Sequence, residues 1–116
     1  MDIIAVLLKF LKKKHYVSGD LEALKNDVVT DTVQLRKPTD LFIRDAITGM
    51  GTILLEELDE HYYITTVKVG LMGNVLAQAL IHRNDTAAEI AVYAREGLIK
   101  QHLAEKALEK LKKALK

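Results

Sequence analysis

The sequence predicts an all-α, single-domain bundle of five or six helices over residues 1–116, and three observations carry that prediction. One proline and six glycines leave long stretches without turn punctuation, which favours helix over a turn-dense β architecture. Apolar residues recur at spacings of three and four along much of the chain. A length of 116 residues, 49% of them hydrophobic and 28% charged, suits a globular domain with a core that needs no disulfide or metal staple.

Taken in order, residues 2–14 set Ile3, Ile4, Leu7, Leu8 and Leu11 on one helical stripe, with lysines in the last turns. "HYVSGD" is a turn in which Ser18 or Asp20 caps the next segment. Leu21, Leu24, Val28 and Leu35 form a second, weaker stripe, although "DVVTDTVQL" is rich in β-branched residues and also fits strand alternation. Pro38 disfavours helical geometry at Lys37. Thr39 or Asp40 then caps a helix carrying Ile43, Ile47, Met50, Leu54 and Leu58.

Tyr62–Val69 has high strand propensity, yet Ile64, Val67, Leu71, Val75 and Ala79 continue at helical spacing. An unbroken helix over 40–82 would run about 64 Å at 1.5 Å per residue, too long for a domain of this size. A break near Asp59–Tyr63 is therefore expected, with helix resuming after it; the alternative is a short two-stranded element at 28–35/62–69. "HRNDTAAE" reads as a boundary, with Asn84 or Asp85 capping a helix from about 86 that Gly97 kinks or interrupts. Residues 101–116 are a plain amphipathic helix with Leu103, Leu108, Leu111 and Leu115 on its apolar side.

"MGTILLEEL" at 50–58 and "MGNVLAQAL" at 72–80 share four of nine positions. Glycine within a helix costs about 1 kcal/mol relative to alanine, and the usual return is close approach of another backbone. Gly49, Gly51, Gly70 and Gly73 are thus the candidates for helix packing. The duplicated words describe packing, not a duplicated catalytic site.

Motifs for chemistry are sparse. The chain has no cysteine, which excludes disulfides, thiolate metal sites and cysteine nucleophiles. None of the four histidines stands in a Glu-x-x-His or His-x-x-x-His pattern; Glu57 and His61, at i,i+4, read as a solvated helix end. Neither a nucleophile elbow nor a phosphate-binding glycine loop occurs, and no catalytic residue, metal or cofactor is expected. Arg95 and His102 have the R-x6-H spacing that resembles the catalytic pair of HEPN-type ribonucleases, which are small helical proteins; the resemblance covers those two residues.

Net charge is +1 but unevenly spread. Residues 1–14 hold Lys9, Lys12, Lys13 and Lys14 against Asp2, and residues 106–116 hold five lysines, Lys106, Lys110 and Lys113 among them, against Glu109. The middle, 15–105, has 8 basic and 14 acidic residues. Lysines at helix C-termini complement the macrodipole; as basic ends they would engage the acidic middle of a neighbour. The lysines follow the first apolar run, as in no secretory signal, and neither Ile3–Leu8 nor Val69–His82 is long enough to span a bilayer. A soluble, cytoplasmic protein is expected.

The functional expectation is a non-enzymatic helical module for protein–protein interaction or self-association. Leu103, Leu108, Leu111 and Leu115 would find their cover on another chain. The alternative is a nucleic-acid-binding regulator with a degenerate helix-turn-helix in residues 1–37, against which Asp27 and Asp31 stand where phosphates would lie. Membrane-surface binding by the two lysine-rich helices is the weakest of the three readings.

Overall fold

The computed structural model describes residues 1–70, 75–96 and 101–116. Helix α1 (Ile3–Lys13) follows the predicted stripe: the Asp2 carboxylate accepts from the Ala5 N–H at 3.1 Å, and Lys12 and Lys13 occupy the last turn. Asp20 caps the single-turn α2 (Leu21–Leu24), which runs into a 3-10 turn at Lys25–Asp27. Thr39 caps α3 (Asp40–Thr48) through the Phe42 N–H at 3.1 Å. The last helix, α4 (Leu103–Leu115), starts after His102, whose φ of +56° places it in the left-handed region without a side-chain cap. Glu96 serves that end instead, accepting from the Leu103 N–H at 2.7 Å and the Gln101 N–H at 3.1 Å.

Between these helices the chain is sheet, and the all-α bundle is overturned. Strands β1 (Val28–Gln34), β2 (Ile53–Glu57), β3 (Tyr62–Val69), β4 (Val75–Asn84) and β5 (Ala87–Tyr93) form one antiparallel sheet in the order β1-β5-β4-β3-β2. The architecture is mixed α/β. Segments 28–35 and 62–69 are strands, but they do not pair with each other: β1 joins β5, while β3 lies between β2 and β4. "HRNDTAAE" is no helix cap but the tight β4–β5 turn, with Asp85 at φ +59°. The proposed recognition helix of a helix-turn-helix is strand β1, and the helical frame that the R-x6-H resemblance implied gives way to sheet: Arg95 follows β5.

The physical reason for the misreading is burial on both faces. β3, β4 and β5 are covered above and below, so they carry near-continuous apolar runs in place of alternation. Ile3, Leu7, Leu8 and Leu11 of α1 pack one face, against Ile64, Leu80, Ala91 and Tyr93. Ile43 and Ile47 of α3, with Leu103, Leu108, Leu111 and Leu115 of α4, pack the other, against Tyr63, Val67, Ile81 and Ile90. The four leucines of α4 therefore find their cover on this chain's own sheet.

The duplicated words now have a different meaning. The first leads through a turn into β2, and the second enters β4, the two neighbours of β3; Leu71–Asn74, Gly73 included, lies outside the described residues. Among the described residues no pair of helices meets on the glycines. Gly49 caps α3 in right-handed geometry, and Gly70, at φ +83°, turns the chain out of β3. Gly51 does make a close approach, but to a strand: a Cβ there would collide with the Thr66 carbonyl, while one on Gly49 would only touch Ala46 at 3.6 Å. Gly51→Ala should cost about 1–3 kcal/mol in urea unfolding. Gly49→Ala should be neutral or stabilise by up to about 1 kcal/mol.

Candidate interaction surface

A five-stranded sheet has two margins, each with a row of backbone groups free for another strand. The margins differ. β2 is short, and its register against β3 shifts between Ile53 and Leu55, a bulge that turns both Leu54 and Leu55 toward the α1 side. It ends in Glu56 and Glu57, and Arg44 Nε of α3 lies 2.9 Å from Glu56 Oε1 beside an open groove of about 600 Å³. Shortness, a bulge and like charges are the ordinary guards of a sheet edge.

β1 has little of this protection. All seven residues pair with β5 in unbroken register, from Val28 opposite Tyr93 to Gln34 opposite Ala87. The Leu35 N–H donates to the Thr86 carbonyl on the β5 side, so by alternation Val29, Asp31 and Val33 address β5 while Thr30 and Thr32 turn their backbone groups outward. Thr30, Asp31 and Thr32 are exposed.

The one charge on β1 is already engaged. Lys112 Nζ of α4 lies 2.6 Å from Asp31 Oδ2, and the Thr32 N–H donates to Asp31 Oδ1 at 2.8 Å. The Lys112 hydrogen bond, then that of Thr32, holds the Asp31 carboxyl below the usual range. On the α1 face an open groove of about 480 Å³ runs beside the strand, lined by Met1, Ile4, Thr30, Thr32 and Glu89.

The helix over this margin is α4, which lies across β1 and β5. Its side toward β1 carries Glu105, Glu109, Lys112 and Lys116, at i, i+4, i+7 and i+11 on one stripe. Lys106, Lys110 and Lys113 fall elsewhere on the helix, and Lys110 Nζ donates to the Lys68 carbonyl of β3 at 2.9 Å. Lys9, Lys12, Lys13 and Lys14 are exposed on the α1 layer. The two predicted basic patches therefore sit on opposite faces of the sheet and do not merge.

Two polar clusters escaped the sequence reading. In one, Arg83 Nε lies 3.1 Å from Asp40 Oδ1, His61 Nδ1 lies 3.2 Å from Asp40 Oδ2, and the Arg83 N–H donates to the His61 carbonyl at 2.8 Å. This ties the first turn of α3 to the β2–β3 loop and to β4. His61 thus faces Asp40, not Glu57. In the other, Thr32, Glu89, His82, Tyr62 and Glu57 form a cross-strand row on the α1 face, with His82 Nδ1 3.5 Å from Glu89 Oε1. Burial, then Glu57 and Glu60, raises the Tyr62 phenol above its usual range. Among the described residues no group of three His, Asp or Glu side chains has the placement of a metal site.

Nor is any helix among the described residues long and apolar enough to cross a membrane. Comparison with protein-family models finds no match, and none is found among curated proteins or solved structures.

Burial pushes the Asp40 carboxyl upward, but the Arg83 and His61 hydrogen bonds outweigh it and the net shift is downward. Its folded value thus lies below the unfolded one of about 3.9, so its stabilisation is present above that pH and is lost as pH falls through the folded value. Asp40→Asn should lower the melting temperature by several degrees at pH 7. The gap to the parent should narrow as the pH is taken below about 3.9, as thermal melts across that range would read.

Proposed function

We propose that this chain is a protein–protein interaction module that self-associates through its β1 margin. The observation that carries the reading is the contrast between margins: β2 is short and bulged and carries Glu56, held by Arg44, beside Glu57, while β1 is longer, unbroken in register and carries a single carboxylate, held by Lys112. A regular strand with outward N–H and C=O groups is a template for one more strand, the Thr32 N–H being held by the adjacent Asp31 carboxylate until a second strand replaces it. The chain's even charge balance, +1 overall with lysines and acids in separate regions, favours association of like copies over repulsion.

Light scattering tests this directly. The expected mass at micromolar concentration is twice the 13.0 kDa of the chain. A strict monomer at every concentration, at low and at high salt, would remove the reading. Thr32→Pro takes away an outward N–H without touching the ladder to β5; it should shift the population to monomer while the circular dichroism spectrum stays that of the parent.

A further inference from the structure

We propose that two copies join β1 to β1 in antiparallel register about a two-fold axis at Asp31, extending the five-stranded sheet to ten strands and laying the two α4 helices antiparallel side by side. This rests on the self-association reading above and adds its geometry.

The register comes from the strand itself. Residues 29–33 read Val-Thr-Asp-Thr-Val, the same in both directions. Antiparallel self-pairing centred on Asp31 sets Val29 opposite Val33 of the second copy and Thr30 opposite Thr32. The threonines carry the outward backbone groups, so they become the hydrogen-bonded pairs, and Thr–Thr is a favourable cross-strand combination. The Thr32 N–H exchanges its Asp31 acceptor for the Thr30 carbonyl of the second copy. Residues directly opposite must point to one face of the sheet, and a two-fold axis perpendicular to the sheet satisfies this when a residue faces itself.

The helices fit the same axis. Strands lie about 4.8 Å apart, and α4 sits over β1 and β5. α4 also reaches β4 and β3, so it is where the helix passes over β1 and β5 that its axis lies about half a strand spacing inside β1, with the two-fold axis half a spacing outside it. The two α4 axes fall about 10 Å apart, within the ordinary range for packed helices.

Charge agrees as well. On the stripe toward β1 the acids Glu105 and Glu109 come first and Lys112 and Lys116 last. Antiparallel packing brings Glu105 against Lys116 of the second copy, and sets Glu109 near the second copy's Lys112, which within each chain already bridges Asp31 and Glu109. The cost is two Asp31 side chains face to face, each offset by its own Lys112 at 2.6 Å. The contact is isologous and closes as a dimer.

The absence of cysteine makes the register readable by single-cysteine variants. Asp31→Cys should form an intermolecular disulfide on mild oxidation, since facing Cα atoms about 4.5 Å apart lie within disulfide reach. Thr30→Cys and Thr32→Cys should each fail to link to themselves, being offset by about 7–8 Å, yet link to one another when mixed. Because Asp31→Cys also removes a charge, a second measurement uses the helices. Glu105→Lys and Lys116→Glu should each weaken the dimer by about tenfold, and an equimolar mixture should restore it, with circular dichroism confirming both folds.

Self-linking at Thr30→Cys or Thr32→Cys would overturn the register. A parent dimer insensitive to the charge reversals and unlinked by Asp31→Cys would overturn the geometry while leaving self-association in place. A parent monomer would overturn both.

Discussion

The centres of strands β3, β4 and β5 are buried from both sides, and that requirement organises the molecule. Ile64, Leu80 and Ala91 face one way while Val67, Ala79, Ile81 and Ile90 face the other, and all seven are buried. A sheet with two apolar faces needs a layer of helices on each. The amphipathic α1 supplies one; α3 and α4 supply the other. Removing a fully buried leucine such as Leu8 or Leu111 leaves a cavity worth about 2–5 kcal/mol, a large share of what a domain of this size has to lose.

Once the centre is covered, chemistry is left to the margins and loop ends. The polar clusters found there act first as fasteners. Asp40, Arg83 and His61 join a helix start, a hairpin end and a neighbouring loop, which share no local sequence signal. Asp31 and Lys112 join β1 to α4 in the same way. The second fastener neutralises the one charge of β1, the circumstance on which the proposed pairing of that margin rests.

How much could be read from the chain alone varied with the kind of element. α1, the start of α3 and α4 were legible, because each is amphipathic and lies against a sheet on one side only. Asp20 and Thr39 were each legible as one of two candidate caps, beside Ser18 and Asp40, since a cap is a local hydrogen bond. The segments 50–58 and 62–82 misled for a definite reason. In 62–82, strands buried on both faces lose period-2 alternation; in 50–58 the bulge of β2 puts Leu54 and Leu55 on one side, and Met50, Leu54 and Leu58 continue the α3 stripe by accident although α3 ends at Thr48. The β-branched run 28–34 did carry its signal, but a strand with no identified partner is hard to credit.

The proposed interaction surface was less legible than the fold. The lysines and the α4 leucines drew attention through composition, yet the leucines are spent on the core and the lysines are split between two layers. The palindrome Val29–Val33 is written in the text, but it acquires meaning only once β1 is known to be the outermost strand.

What the amino-acid order determined by itself is the set of local features: three amphipathic helices, the caps of α2 and α3, the absence of thiol chemistry, and the separation of lysines from acids. Which strands lie at the centre and which at the rim was decided by tertiary structure alone. Strand order depends on contacts between residues far apart in the chain, such as β1 with β5, and on which faces the helices can cover. No periodicity within a window of ten or twenty residues encodes that choice.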